Sequence, residues 1–226
     1  MGFLKWLNGA PEPQPRFIIG GREAISPNQL GAIYVTSALP SVDMLLEMLF
    51  GPGKPGQQLP LARPVFSDPM PARLFLLGMM VASGLIHATK TLGATGLVLQ
   101  DIMKGTTAEL SKLRKPDGLM VNPADVAEVN KLISDFYDLI TDEFSNKVDT
   151  KPRTPNTEPP KATQLLMSLI VMRYNNGGPS GEAAVAKFQK RGYYDPAYAA
   201  MTKLIDEAPK APLRTLQDMN ITFRSA

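Results

Sequence analysis

Apolar side chains recur every three or four positions through much of this 226-residue chain, which is the spacing of one face of an α-helix. The pattern is clearest between residues 122 and 147, where one apolar stripe runs through a segment whose other positions are largely acidic or polar. That stripe consists of Val126, Val129, Ile133, Phe136, Ile140 and Phe144. We predict further helices over residues 27–38, 41–50, 95–114, 162–174, 182–191 and 196–208. Residues 17–21 are either a short strand or an extended lead-in.

The most apolar segment spans residues 74–90, in which His87 and Lys90 are the only residues with ionisable side chains. Its strongly apolar part, Leu74 to Ile86, is thirteen residues long, whereas a membrane-spanning helix needs about twenty. We therefore predict a buried core helix, with a membrane-embedded segment as the alternative. Gly78, Ala82 and Gly93 offer small faces to a neighbouring helix. A buried His87 is expected to hydrogen-bond to a neighbour.

Helix-capping residues stand directly before proline at four places in the chain. A Ser, Asp or Asn at the N-cap accepts a hydrogen bond from a free backbone N–H, and proline suits the first helical position. Together with the apolar spacing, the pairs predict an all-α protein: an irregular bundle of about six to eight helices with an extended, proline-rich N-terminal arm and a C-terminal tail. The pairs are Ser26-Pro27, Asp68-Pro69, Asn122-Pro123 and Asp195-Pro196.

The 21 prolines divide the chain, because eleven lie within the first 71 residues and none lies between residues 72 and 115. A second proline-rich segment, with four prolines in thirteen residues, covers residues 148–160. We predict five regions: an extended arm (1–25), a main helical domain (26–147), a linker (148–160), a C-terminal helical subdomain (161–212) and an extended tail (213–226).

The composition excludes several kinds of chemistry. The chain has no cysteine and one histidine, so disulfides, thiolate metal sites and cysteine nucleophiles are absent. Residues 51–56 match a G-x-G-x-x-G pattern, but two prolines and a preceding helix argue against a nucleotide site. Asp135, Asp138 and Asp142 are interpreted as a solvated acidic stripe. We predict no catalytic residue, no metal and no cofactor, and therefore a protein that is not an enzyme.

Charge is unevenly distributed, with nine acidic and five basic residues over positions 101–145, and eight basic and three acidic residues over positions 146–192. Within the basic block, cations alternate with aromatic residues as they do in proteins that bind single-stranded nucleic acid. The alternative is a helix–helix corner. The candidate nucleic-acid contacts are Lys187, Phe188, Lys190, Arg191, Tyr193 and Tyr194.

The first seven residues are mostly apolar and include the only tryptophan. They are too short for a signal peptide and lack a cleavage site. We predict that Phe3, Leu4, Trp6 and Leu7 either pack on their own domain or dock on a partner subunit. A shallow contact with a membrane surface is a further alternative, although so short a segment buries little apolar area.

Arms and tails of this kind commonly become ordered by lying across a partner. The leading hypothesis is therefore a non-enzymatic structural or adaptor subunit of a larger assembly of the virion, secretion or conjugation type, in contact with copies of itself or with other subunits. The alternatives are a nucleic-acid-packaging protein that uses residues 147–194 and a peripheral membrane protein anchored by residues 1–7. We expect a location in the cytoplasm or within a particle.

Overall fold

A computed structural model describes residues 16–19, 22–23, 26–50, 69–92, 96–115, 118–144, 161–174, 196–218 and 222–224. These residues confirm the predicted all-α class, with seven α-helices in the described part of the chain. The helices are α1 (Pro27–Phe50), α2 (Met70–Leu92), α3 (Gly96–Leu110), α4 (Pro123–Phe144), α5 (Lys161–Tyr174), α6 (Pro196–Glu207) and α7 (Ala211–Asp218), with a 3₁₀ turn (Ala208–Lys210) between the last two.

Helix α2 lies at the centre of the bundle. It packs against α1 on one side, against α4 on another, and against the 3₁₀ turn on a third. Its buried side chains include Leu76, Leu77 and Met79, all fully buried, and Phe75 meets Phe136 of α4 edge to face at 5.5 Å. The prediction of a buried helix at this position agrees with this packing. By length and composition alone, α1 and α2 could each cross a membrane, but 83% of the apolar window in α2 is buried inside the protein.

Two of the four predicted N-terminal caps, Ser26 and Asn122, lie among the described residues, and both form; Asp68 and Asp195 lie outside them. The Ser26 hydroxyl accepts from the backbone N–H of Gln29, and the Gln29 side chain accepts from the N–H of Ser26, so the two residues satisfy each other. At α4, the side chain of Asn122 accepts from the N–H of Asp125 at 2.8 Å. At α2, the helix begins one residue later than predicted, because the carbonyl of Pro69 accepts the first helical bond, from Arg73.

Residues 27–50 form one helix, which corrects the prediction of two helices on either side of Pro40. A proline inside a helix removes one backbone hydrogen bond, here the bond to the carbonyl of Thr36. Both Pro40 and Thr36 are exposed, so water can hydrate the freed carbonyl. Because Val35, Ala38 and Val42 continue the buried face across the proline, packing favours an unbroken helix.

Helix α3 is shorter than predicted, since it ends at Leu110 instead of Arg114. The chain then reverses through a narrow turn, in which the N–H of Lys115 donates to the carbonyl of Leu119 and the N–H of Val121 donates to the carbonyl of Leu113. Gly118 supplies the positive φ, +83°, that this turn requires. The basic residues before Pro116 therefore belong to the turn and do not cap the helix.

The two ends of the chain meet in a small antiparallel sheet of order β2-β1-β3. Strand β1 (Arg16–Ile19) pairs with β2 (Arg22–Glu23) and with β3 (Thr222–Arg224), with Phe17 opposite Phe223. Residues 17–19, predicted as either a strand or a lead-in, thus belong to a strand. The predicted extended tail is also corrected, because α7 continues to Asp218 and only the last part, β3, is extended.

One hydrophobic cluster takes side chains from every described helix, from Leu30 in α1 to Leu216 in α7. Helix α6, the 3₁₀ turn and α7 contact α1, and the turn also contacts α2. The predicted linker, residues 148–160, and the predicted helix over residues 182–191 lie outside the described residues, and the division into domains stays a prediction.

Candidate functional site

An open groove of about 760 Å³ lies between α3 and α4, with α2 as its floor. A groove of this size is within the range of small-molecule and segment-binding sites, about 300–1,000 Å³. Apolar side chains line most of it. The lining residues are Leu85 of α2; Leu99, Gln100, Met103, Lys104, Thr107 and Ala108 of α3; and Asn130, Ile133, Ser134 and Tyr137 of α4.

The groove exists because α3 and α4 each pack on a different helix. Helix α3 packs closely on α1, and α4 packs on α2, so the walls diverge above the floor. Two polar links hold the walls in place. The side chains of Thr107 and Asn130 hydrogen-bond across the groove at 3.0 Å, and the hydroxyl groups of Thr89 and Tyr137 lie 3.1 Å apart. The Thr107–Asn130 hydrogen bond thus links the two walls, and the Thr89–Tyr137 contact links the α4 wall to the floor.

The groove is close to electrically neutral. Its one charged lining residue, Lys104, forms an ion pair with Asp101 on the same helix at 2.7 Å. Gln100 and Ser134 stand at exposed positions of α3 and α4, whereas Thr107 and Asn130 are half-buried. No lining residue is a carboxylate or a histidine, so the groove offers no paired acid and base. Its surface suits apolar side chains with a polar rim.

A second feature is the buried polar cluster, which we define as His87, Asp206, Glu207, Lys210 and Arg214. The ammonium of Lys210 donates to Asp206 Oδ1 at 2.8 Å, and both side chains are 6% exposed. The guanidinium of Arg214 donates to Glu207 Oε2. The cluster lies where the 3₁₀ turn joins α6 to α7 and packs against α2.

Burial dominates the electrostatics of this cluster. It raises the pKa of Asp206, an effect that the Lys210 ammonium opposes. Burial also raises the pKa of Glu207, but the hydrogen bond from Arg214 and the charge of Lys210 outweigh it, so the pKa of Glu207 lies below its usual value. Burial, aided by the charges of Lys210 and Arg214, lowers the pKa of His87 to about 4. His87 is therefore neutral at physiological pH.

The cluster holds helices together and offers no reactive group. Each hydrogen-bonded carboxylate faces a cation, and His87 has no nucleophile beside it among the described residues. The sequence predicted that His87 hydrogen-bonds to a neighbour. Its Nδ1 atom has no partner in the described structure, so the prediction is wrong for this atom. The hydroxyl of Tyr34, whose ring packs against Gly84, one turn before His87 on α2, has no partner there either. Both side chains are 2% exposed and neither lines the groove, which remains the candidate site.

The site residues predicted from the sequence lie outside the described residues. These are the partner-docking candidates Phe3, Leu4, Trp6 and Leu7, and the nucleic-acid candidates Lys187, Phe188, Lys190, Arg191, Tyr193 and Tyr194. Both sets therefore stay predictions. The acidic stripe of α4 is described in part: Asp135 forms an ion pair with Lys131, and Asp138 is exposed. Across the described ranges, no three potential metal ligands come together.

Sequence reasoning missed the groove. In α3, Leu99 and Met103 have the i, i+4 spacing of an ordinary core face, and both are only partly buried because no described element covers them. Local spacing cannot distinguish a face that a neighbour covers from a face that stays open. The chain matches no family model, no curated protein and no solved structure.

Proposed function

We propose that this protein is a non-enzymatic structural or adaptor subunit of a larger assembly, and that the groove between α2, α3 and α4 binds an apolar segment of a protein partner. The observation that carries the proposal is the open, neutral, apolar groove of about 760 Å³ on an otherwise well-packed helical body. Amphipathic segments commonly bind such grooves by placing side chains at helical spacing into them.

The shape and lining of the groove support a binding role. Concave, mostly apolar surfaces with a few polar groups are the usual places where proteins bind ligands and segments. The floor and walls are also held by the Thr107–Asn130 and Thr89–Tyr137 hydrogen bonds. A groove whose walls are fixed before binding loses less conformational entropy when a partner enters.

The chemistry of the described residues favours binding over catalysis. The groove is lined by no carboxylate and no histidine. In the buried polar cluster, Lys210 is paired with Asp206 in the core and Arg214 is paired with Glu207 at a partly exposed position. General acid–base catalysis needs titratable groups within reach of a substrate. A subunit that acts through contacts needs only the surface that the groove provides.

The test compares two substitutions of methionine by lysine in the full chain. Met103→Lys places a charge in the groove, whereas Met44→Lys changes a residue of α1 that is 55% exposed and does not line the groove. We expect Met103→Lys to weaken association by roughly thirtyfold, as for loss of an interface hot spot of about 2 kcal/mol. Sedimentation equilibrium over a dilution series measures the effect.

Met44→Lys serves as the matched control and is expected to associate as the wild type does. Circular dichroism melting of both variants checks that the helices are intact. Equal association of the wild type and Met103→Lys, with both folded, would contradict a binding role for the groove.

A further inference from the structure

We propose that the groove of one copy is occupied by the N-terminal segment Met1–Leu7 of a second copy, so that arms are exchanged between subunits. This inference rests on the proposed function and names the partner. It is carried by three observations: the pattern of the segment, the chemistry of the groove, and the length and starting point of the arm that connects them.

The segment has the pattern of a groove-binding peptide. At 100° per residue, Phe3, Leu4 and Leu7 share one face, with Trp6 beside Phe3 at its edge, while Lys5 falls on the opposite side. These spacings of one, three and four residues are those of amphipathic anchors. Bound in this way, the segment presents four large apolar side chains to the groove and its only charged side chain to solvent.

The lining of the groove complements these side chains. Met103 supplies a thioether, which packs favourably against aromatic rings, and Tyr137 supplies an aromatic wall. Gln100 and Ser134 carry side-chain oxygens at exposed positions, which suit the indole N–H of Trp6. Because Lys104 is already paired with Asp101, an occupant needs no acidic residue, and the segment has none.

The arm is long enough to reach a neighbouring subunit. Eight residues, 8–15, separate Leu7 from the start of β1, and three of them are prolines. At about 3.1 Å per residue for an extended proline-rich segment, they span roughly 25 Å. That length is about twice the diameter of one helix, about 10–12 Å, so the segment is not confined to the neighbourhood of β1.

The starting point of the arm favours a second copy. Strand β1 pairs with β3, which follows α7 after three residues, and the 3₁₀ turn before α7 meets the face of α2 that carries Gly84 and His87. The groove uses Leu85 and Thr89, which lie about 150° around the helix from that face, at 100° per residue. The groove and the 3₁₀ turn that leads into α7 and β3 thus lie on different faces of α2. If two copies exchange arms about a two-fold axis, each groove is filled by the arm of the other copy.

Trp6 is the only tryptophan, so its fluorescence in the full chain reports the position of the segment directly. At concentrations where the protein associates, we expect blue-shifted emission and protection from acrylamide quenching. On dilution, the emission should shift to the red in step with the fall in mass measured by light scattering. Emission typical of solvent-exposed tryptophan at all concentrations would overturn the inference, and so would blue-shifted emission in a monomer, since the segment would then be buried within its own subunit.

Two alanine-to-phenylalanine variants locate the contact. Ala108 is exposed and lines the groove, whereas Ala127 is exposed on α4 and does not line it. We expect Ala108→Phe to fill the groove, to shift the Trp6 emission to the red at a concentration where the wild type is associated, and to weaken association by roughly thirtyfold. Ala127→Phe should leave both unchanged, and neither substitution disturbs a buried position.

The outcomes separate this inference from the proposed function. If Ala108→Phe abolishes association but the Trp6 emission of the associated wild type is solvent-like, the groove binds a different segment, and only the inference fails. If association is insensitive to Ala108→Phe and to Met103→Lys, the groove is not an interface, and the proposed function fails as well.

Discussion

Lys210 and Asp206 are each less than a tenth exposed and join α6 to the following turn through one 2.8 Å contact. The hydroxyl of Thr163, on α5, also donates to Asp206, at 3.4 Å. Removing one partner from a buried ion pair leaves an uncompensated charge, which is more damaging than removing both. These residues therefore link three C-terminal elements, α5, α6 and the 3₁₀ turn, through the Asp206 carboxylate. The Lys210 ammonium compensates the charge of that carboxylate.

We predict that Lys210→Met lowers the free energy of unfolding by about 3 kcal/mol, because the Asp206 carboxylate loses its partner in the core. The double variant Asp206→Asn/Lys210→Met should recover most of this loss. Urea unfolding at pH 7, followed by circular dichroism, measures both. A Lys210→Met protein as stable as the wild type would show that the pair does not hold these elements together.

His87 makes stability depend on pH in a defined direction. Its pKa is about 4 in the folded protein and about 6.5 when unfolded, so folding favours the neutral imidazole. The stabilisation is complete above about pH 6.5 and is lost as the pH falls toward 4. Its full size is about 3 kcal/mol, from 1.36 kcal/mol per pKa unit.

His87→Leu should remove this part of the acid sensitivity. Asp206 and Glu207, whose pKa values shift in opposite directions, are present in both the variant and the wild type. The difference in unfolding free energy between the two proteins therefore isolates the contribution of His87. We expect the difference in unfolding free energy between variant and wild type to grow in favour of the variant as the pH is lowered from 7 to 4. Guanidinium unfolding at several pH values measures it, and a constant difference across this range would contradict the assignment.

At the scale of the elements, the arrangement of α1 and α3 depends on two glycines that the sequence pattern did not single out. A Cβ atom on Gly31 would overlap the backbone carbonyl of Ile102, and a Cβ atom on Gly105 would overlap the carbonyl of Asn28. The two backbones are therefore in direct contact. Because α3 packs this closely on α1, it stands apart from α4, and the groove lies between them.

We predict that Gly105→Ala destabilises the protein by about 1–3 kcal/mol, the usual range for overpacking, and that it also weakens association by moving one wall of the groove. Gly96→Ala is the matched control, because a Cβ atom there meets nothing within 4 Å. Thermal unfolding and sedimentation measure the two effects. Equal stability of the two variants would contradict direct contact between the α1 and α3 backbones.

Among the individual elements, the features predicted correctly are those that depend on residues close together in the sequence. The caps at Ser26 and Asn122 and the apolar stripe of α4 lie where expected. The misread features depend on long-range packing: α1 continues through Pro40 because its buried face continues. Gly78, expected to allow close approach, does lie against α4, where its Cβ would meet that of Leu132 at 3.4 Å. The closer contacts at Gly31 and Gly105 depend on the opposite helix, which no local window contains.

At the scale of the whole molecule, two features were beyond local prediction. The arm and the tail were expected as separate extended segments, yet β1 and β3 pair with each other across the full length of the chain. The groove is likewise a property of the arrangement, since Leu99 and Met103 have the same spacing as buried residues. The segment proposed to fill the groove could be identified as apolar from the sequence, but its binding site could not.

Association through the groove is tested by the mass of the purified full chain, measured by light scattering at low and high salt with absorbance read at 260 and 280 nm. Apolar contacts are not screened by salt, whereas contacts with phosphates weaken steeply. We predict an oligomer that persists at high salt and carries no nucleic acid. A salt-independent monomer, or an assembly that contains nucleic acid and dissociates when salt is added, would contradict association through the groove.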